Sequence, residues 1–465
     1  LYNTMSNKIT PLKVILKKHK RSLKSKLKKK KKRILSLKFL INLKKELGDD
    51  ISLNNQFEIW LPESIKYILE KINPENLDYK NYSIHNNIFK IFVPNKLCLI
   101  SNAKESYGFI YNLLYSILSD KFKKIIIDYS KCEKIELNGQ IYLDIILKDS
   151  IQFIKRRNRY KKLRQNLSEI EAININNIDI KKILFSIGSP AILKKKTIYF
   201  EDIVPYNLCT HNKSGNRIDD MQRKEIDTTQ LVDHVITSLK TVNKTLNSEN
   251  KEDLSTVIGE VLINAEEHST MNNRYSTGYF QKINDENNIF GIYHLVIMNF
   301  GKTIYEKFLS DDCKNYDIKE KMKNLSQKYT KNKWFSTSFE EETLWTLYAL
   351  QEGVTSVSTE RYKRGNGSIR FIESFFNLRN NPITKDEIST MGIISGNTNI
   401  IFDGTYKIEE KTIGNDRFKV MTFNSSGNIE DKPDKNFVKF AKNNYFPGTI
   451  FYANILITQY DTTNY

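Results

Sequence analysis

The most regular apolar pattern along the chain begins at Leu254. Apolar residues recur there at steps of three and four, as in a helix that packs one face against a core; they are Leu254, Val257, Ile258, Val261, Leu262 and Ala265. Glu260, Asn264 and His268 follow one another at steps of four, so they line one polar stripe beside that face. The segment predicts a buried helix with a polar edge, although a solvated helix face carries the same residue types.

Two apolar runs further along predict buried strands. Ile292–Met298 is rich in β-branched residues and ends at Asn299-Phe300-Gly301, where a glycine allows a sharp turn. Gly448-Thr449 leads into a second run, Ile450–Ile457. Between the two strands, Phe339–Leu350 has a helical period.

A glycine-rich segment lies between these strands and leads into a predicted amphipathic helix, Ile369–Phe376. Its residues are Lys363, Arg364, Gly365, Asn366 and Gly367. A Gly-x-Gly loop before a helix presents free backbone N–H groups and a positive dipole end to phosphates. A plain turn is the alternative interpretation of the same residues.

An alternating strand and helix pattern occupies the middle of the chain. Lys124–Asp128 and Ala172–Ile175 predict strands, and Gly139–Ile154 and Ile180–Ile187 predict helices, the latter ending at Gly188. Basic residues 155–164 continue the first of these helices. Together with the C-terminal elements, this pattern predicts an α/β (α+β) protein.

The polar residues of the C-terminal half suit nucleotide chemistry. Asn264 offers an amide oxygen to Mg²⁺, which prefers oxygen ligands and keeps several waters. Glu260, one turn earlier on the helix, can orient and deprotonate a water that attacks a γ-phosphate.

The segments Glu260-x-x-x-Asn264-Ala265-x-x-His268, Asn299-x-Gly301-x-x-Ile304, Arg364-Gly365-Asn366-Gly367 and Gly448-Thr449 occur in the order found in GHKL ATPases, and the chain resembles that superfamily from residue 224 to 465. The resemblance implies a two-layer α/β sandwich that binds ATP and Mg²⁺. It implies that Asn299, Gly301 and Thr449 surround adenine and that residues 302–364 form a lid. The family has Asp where this chain has Asn299, and a second glycine where it has Thr303.

A weaker resemblance covers residues 88–205, which look like a STAS domain, the fold of anti-anti-sigma factors. That family phosphorylates a serine in a turn before a helix. The corresponding turn here is Glu136-Leu137-Asn138-Gly139, which has no hydroxyl. The resemblance therefore implies a docking module for a partner protein rather than a phosphorylation site.

Charge is concentrated at the N-terminal end. The net charge is +19 over 465 residues, with 73 basic and 54 acidic residues. Residues 1–45 hold 17 basic and no acidic residues, so removing them leaves 56 basic against 54 acidic residues. Residues 8–45 predict nucleic-acid binding; an amphipathic membrane-surface helix and a solubilising tail remain as alternatives.

The expected division of the chain has five parts: a polybasic, flexible or helical segment at 1–50, a connector at 51–87, the STAS-like domain at 88–205, a linker at 206–223 and the GHKL domain at 224–465. Residues 63–72 predict a helix within the connector. The four cysteines are scattered, and the apolar runs are too short for a transmembrane segment. We therefore expect a cytoplasmic protein.

Three functions are compatible with these features. The first is an ATP-hydrolysing switch coupled to nucleic acid or a partner protein, with an ATP-dependent homodimer as one form of that switch. The second is a protein serine kinase or regulator of the anti-sigma type. The third is a nucleotide-binding scaffold with little turnover. A role in bacterial defence would place the damaging chemistry on a partner, since no hydrolase signature is present.

Overall fold

The fold is mixed α/β and contains two main sheets. The computed structural model describes residues 61–72, 79–119, 121–159, 167, 169–192, 198–285, 288–311, 313–330, 339–354, 369–373, 388–413 and 416–457. The polybasic segment, the glycine-rich residues 363–367 and the helix predicted beyond residue 373 lie outside these ranges. In the part of the chain described, every helix is too short or too polar to cross a membrane.

The N-terminal unit, residues 61–192, is a four-stranded sheet with helices. The strands are, in spatial order, β1 (Tyr82–His85), β2 (Ile88–Phe92), β4 (Lys124–Asp128) and β6 (Glu169–Ile173). β1 is antiparallel to β2, and the other neighbours are parallel. β3 (Lys96–Leu97) and β5 (Lys134–Ile135) form a short separate pair. The helices are α1 (Glu63–Lys71), α2 (Ala103–Leu118), α3 (Leu137–Arg159) and α4 (Ile178–Ser186), followed by a 3-10 turn at Pro190–Ile192. Helices α2 and α3 provide the crossovers that parallel strands require.

The larger sheet has seven strands, all antiparallel to their neighbours. Its spatial order is β14–β11–β10–β15–β9–β8–β7. The strands are β7 (Ile203–Asn212), β8 (Asn273–Asp285), β9 (Asn288–Phe300), β10 (Thr390–Gly396), β11 (Thr398–Phe402), β14 (Val438–Phe440) and β15 (Phe446–Ile457). A separate hairpin is formed by β12 (Glu409–Ile413) and β13 (Asp416–Val420).

Helices lie on one face of this sheet. They are α5 (Arg217–Thr241), α6 (Ser248–His268), α7 (Ile304–Leu309), α8 (Tyr316–Thr330) and α9 (Glu341–Ala349); residues 369–373 are also helical. Helix α6 begins where the Asn247 side chain accepts the backbone N–H of Asn250 at 2.7 Å. All six apolar residues of its predicted face are buried, which confirms the helix inferred from their spacing.

Both faces of the seven-stranded sheet are covered. Along β9, Tyr293, Leu295 and Ile297 join the core beneath the helices. The alternate residues Val296, Met298 and Phe300 join the core of the N-terminal unit. This explains why the strand is apolar at nearly every position, since a strand buried on both sides has no solvent face.

Helix α3 joins the N-terminal unit to this sheet by packing against β9 and β15. The Tyr142 ring lies 5.2 Å from Phe446 and 6.0 Å from Phe300, measured between ring centroids. Helix α1 adds an ion pair between Lys71 Nζ and Glu306 Oε1 at 2.6 Å. The two sheets therefore share one continuous apolar layer.

The predicted strands at 124–128, 292–298 and 450–457 are confirmed, as are the helices predicted at 63–72, 139–154 and 339–350. The strand predicted at 172–175 begins three residues earlier and ends at Ile173. The interpretation of residues 206–223 as a linker does not describe the local structure, because β7 runs to Asn212 and α5 begins at Arg217. Strand β1 lies within the expected connector and pairs with β2.

Candidate functional site

Asn299 ends β9 beneath the C-terminal turn of α6. Its side chain is 2% exposed. The amide nitrogen donates to the carbonyl of Ala265, which follows Asn264 on α6. The amide oxygen accepts the backbone N–H of Thr449 at 3.0 Å. Asn299 thus ties the predicted magnesium helix to the strand that carries Thr449.

A polar row crosses three strands at this point. Ser395 of β10 lies opposite Thr449 of β15, and Thr449 lies opposite Asn299 of β9. Directly paired residues share a face of the sheet, and this face is the one that the helices cover. The hydroxyl oxygens of Ser395 and Thr449 are 3.0 Å apart. Ser395 is absent from the sequence-based site because a serine within an apolar strand carries no local signal.

The turn after β9 requires glycine. Gly301 has φ +134°, and a Cβ there would lie 2.5 Å from the Thr270 hydroxyl oxygen. Its N–H donates to the carbonyl of Pro447 at 3.2 Å. The next N–H, of Lys302, donates to Thr270 Oγ1 at 3.0 Å. The turn is therefore hydrogen-bonded both to β15 and to the residues that follow α6.

Thr303, where the family has a second glycine, is the N-cap of α7. Its hydroxyl accepts the N–H of Glu306 at 3.1 Å, and the Glu306 carboxylate accepts the N–H of Thr303 at 3.0 Å. This reciprocal arrangement is a capping box. Ile304, one residue later, donates its N–H to Ser395 Oγ at 2.9 Å. The four N–H groups from Gly301 to Ile304 all have internal acceptors, so a phosphate would need donors elsewhere.

Glu260 and Asn264 are both half-buried on α6. Glu260 Oε2 is buried and has no hydrogen-bond partner among the described residues. A buried carboxylate oxygen without a donor is costly, so a water or ligand group at this position would be stabilised. The side chain of His268 lies outside the described residues.

Residues 369–373, which follow the glycine-rich segment, pack close to Thr449. Ile369, Phe371 and Ile372 are buried beneath the helices. The Phe371 ring lies 5.9 Å from that of Phe451, which is two residues beyond Thr449 on the same face of β15. Lys363 to Gly367 are themselves outside the described residues, but the helical residues that follow them stand next to the polar row.

Charged residues extend the polar row toward β7. Arg274 lies opposite His211 and precedes Tyr275, which pairs with Met298, the residue before Asn299. Arg274 Nη2 is 2.5 Å from Asp227 Oδ2 of α5, and both side chains are almost fully buried. His211 Nε2 is 3.5 Å from Glu266 Oε2 of α6. No local sequence pattern indicates this cluster, because its members are far apart along the chain.

Burial lowers the pKa of Arg274, and the Asp227 carboxylate opposes that effect. An arginine remains charged through such a shift because its usual pKa is above 12. In the described residues no group of three or more His, Cys, Asp or Glu side chains is placed to hold a metal ion. All four cysteines are free.

No protein-family model, curated protein or solved structure matches this chain. The candidate site therefore stands on its own geometry.

Proposed function

We propose that residues 224–465 form an ATP-binding domain of the GHKL type, with a STAS-like unit ahead of it. One observation carries the proposal. Residues predicted from two separate segments come together beneath the helix that bears Glu260 and Asn264: Asn299 bonds directly to Thr449, Ile304 reaches Thr449 through Ser395, and Gly301 donates to Pro447, two residues before Thr449.

The order of elements supports the same proposal. After two helices come two antiparallel strands, a glycine turn, a helical interval and the glycine-rich segment; strands β10 to β14 follow, and the last strand, β15, pairs beside the turn. In the N-terminal unit, three parallel strands alternate with helices, in agreement with a STAS-like arrangement.

Each site residue has a role in this proposal. Glu260 accepts a proton from the attacking water, consistent with its orphaned oxygen. Asn264 is a magnesium ligand, and water and phosphate complete the shell, since Mg²⁺ rarely has an all-protein cage. The bound ion would neutralise phosphate charge. Asn299 and Thr449 meet the base, and Lys363, Arg364, Gly365, Asn366 and Gly367 meet the phosphates.

The contact between the two sheets supports the proposed role as a switch. Phe300, between Asn299 and Gly301, packs against Tyr142 of the N-terminal unit. Movement of the end of β9 on nucleotide binding therefore displaces the residues of α3 that contact it. Nucleic-acid binding by residues 8–45, a lid at 302–364 and ATP-dependent dimerisation stay predictions.

The anti-sigma-type kinase is less favoured by residues 136–139, where the sequence predicts a turn and α3 already begins at Leu137. Asn138 is buried and its side-chain oxygen accepts the N–H of Leu99 at 3.0 Å. A Cβ on Gly139 would lie 3.0 Å from the carbonyl oxygen of Leu97. The start of α3 therefore packs closely against the backbone of Leu97, and residues 136–139 offer no hydroxyl for phosphorylation.

The proposal is tested by phosphate release from Mg-ATP, with nucleotide binding measured in parallel. We expect Glu260→Gln to bind ATP as the wild type does and to lose turnover by at least about a hundredfold, the usual contribution of a general base. Glu252→Gln, an exposed residue of the same helix, is the matched control and should keep wild-type turnover.

Other results have defined meanings. Binding without turnover by the wild type, with or without DNA or RNA, would support the scaffold function instead. Failure of the wild type to bind ATP at all would exclude the pocket. Stimulation by nucleic acid that disappears when residues 8–45 are removed would connect the basic segment to the ATPase cycle.

A further inference from the structure

Lys71, the last residue of α1, connects the N-terminal unit to the first turn of α7. Its Nζ lies 2.6 Å from Glu306 Oε1. The same cation lies 5.6 Å from the ring centroid of Tyr67 and 5.4 Å from that of Tyr445, within the range of cation–π attraction. Tyr67 belongs to α1, whereas Tyr445 directly precedes β15. One side chain of the N-terminal unit therefore contacts both the start of α7 and the start of β15.

Glu306 extends this contact to the turn after β9. One carboxylate oxygen, Oε1, is paired with Lys71, and the other, Oε2, accepts the N–H of Thr303 at 3.0 Å. Burial raises the pKa of Glu306, but the hydrogen bonds from Lys71 and Thr303 outweigh that effect and lower the pKa. The carboxylate is therefore charged at neutral pH, and each of its oxygens holds a different part of the molecule.

The first turn of α7 is joined to the candidate site. Ile304, at the start of this helix, donates its N–H to Ser395 Oγ at 2.9 Å. The hydroxyl oxygen of Ser395 is in turn 3.0 Å from that of Thr449. A short series of polar contacts thus leads from Lys71 on α1 to the strand that carries Thr449.

Two other helices of the N-terminal unit contact the strands rather than α7. Tyr111 of α2 donates its hydroxyl to the carbonyl of Tyr445 at 3.3 Å, and the ring of Tyr142 on α3 packs against that of Phe446. These contacts do not involve Lys71. Removing the Lys71 cation should therefore release the first turn of α7 while the two sheets stay packed together.

We infer that Lys71 is a positioning residue, which acts through Glu306 to hold the turn after β9 in the arrangement that binds nucleotide. This inference rests on the proposed nucleotide site. It makes the packing of α1 and the occupancy of the site interdependent, because coupling between two places in a protein is reciprocal. Displacement of α1 weakens nucleotide binding, and bound nucleotide stabilises α1 against the turn.

The test measures the dissociation constant of Mg-ADP for the full-length protein by calorimetry. We expect Lys71→Met to weaken binding about fivefold, the lower end of ordinary coupling between sites. Lys71→Arg keeps the charge and should keep most of the affinity. Glu306→Gln, which retains an oxygen for the Thr303 N–H, should resemble Lys71→Met, and the double variant should be no weaker than either, because both changes remove one interaction.

Lys66→Met is the matched control. Lys66 is on the same helix, and its Nζ is 3.0 Å from Glu63 Oε1, so its ion pair lies within α1. Its substitution removes a lysine and an ion pair from α1 but leaves the contact with α7. The affinity for Mg-ADP should therefore stay at the wild-type value.

Hydrogen exchange of the amides of α1, with and without Mg-ADP, separates positioning from mere stabilisation. In the wild type we expect bound nucleotide to slow exchange in α1, and in Lys71→Met we expect this nucleotide effect to disappear. A purely structural role for Lys71 would instead speed exchange equally in both conditions and leave the nucleotide effect unchanged.

The possible failures are distinguishable. Wild-type affinity in folded Lys71→Met or Glu306→Gln protein overturns the inference while leaving nucleotide binding intact, as does an equal loss in Lys66→Met. Absence of any ADP or ATP binding by the wild type overturns the proposed function, and the inference with it.

Discussion

Arg274 and Asp227 form a buried ion pair beside the candidate site. Asp227 also has a second basic neighbour, Arg223, whose side chain is half-exposed, with its Nε 3.2 Å from Asp227 Oδ1. The two arginines thus contact one carboxylate from very different environments. The effects of removing them should differ accordingly, because removing one partner of a buried pair leaves an uncompensated buried charge.

We expect Arg274→Met to lower the free energy of unfolding by about 3–5 kcal/mol, since it leaves the Asp227 carboxylate buried without its main partner. Chemical denaturation at neutral pH measures the change. Arg223→Met is the matched control and should cost less than about 1 kcal/mol, as half-exposed ion pairs do. Equal losses from the two substitutions would show that burial does not determine the strength of this pair.

A bulge in β15 brings the site together at the scale of the element. The register of β10 and β15 pairs Ser395 with Thr449 but the next residue, Gly396, with Phe446. Pro447 and Gly448 are therefore extra residues on β15, and the Pro447 carbonyl receives the N–H of Gly301. Gly448 has φ +153°, and a Cβ there would lie 2.0 Å from the carbonyl oxygen of Asn299.

We expect Gly448→Ala to separate β15 from the end of β9, lowering the free energy of unfolding by more than about 2 kcal/mol and weakening nucleotide binding. Thermal unfolding and calorimetric titration are the measurements. Gly404→Ala is the control, because Gly404 also has a positive φ of +83° but has no atom within 4 Å of an added Cβ. It should show only backbone strain, about 1 kcal/mol. Similar effects of both substitutions would contradict a steric origin.

The whole molecule is held together by a sheet that is apolar on both faces. Separating the N-terminal unit would expose Met298, Phe300 and Tyr452, which are buried in its core. Exposure of such a surface is unfavourable by about 25 cal/mol per Å². The two sheets should consequently unfold together.

We expect differential scanning calorimetry to show one transition, shifted to lower temperature by substitutions in either core. Phe109→Ala tests the N-terminal core and Phe402→Ala tests the core beneath the helices. Each should cost about 3–5 kcal/mol. Two transitions, each sensitive to only one of these substitutions, would mean that the units fold independently.

Several parts of the fold were predictable from the sequence because their signals are local. The spacing of apolar residues around Val261 reflects only the period of a helix. The apolar run before Asn299 reflects only a strand that is buried on both faces. Gly301 was recognisable as a turn residue for the same reason. Strand β7 at 203–212 was not predicted, since its residues IVPYNLCTHN show neither a continuous apolar run nor a strict alternation.

By itself, the sequence determined the positions of α6, β9 and β15 and the residue types that give the site its chemistry, since these depend on short-range periodicity and side-chain identity. Only the tertiary structure decided that Ser395 stands beside Thr449, that Arg274 pairs with Asp227, and that α3 covers the second face of the sheet. These contacts depend on strand register and on packing between segments distant in the chain, which no local pattern encodes.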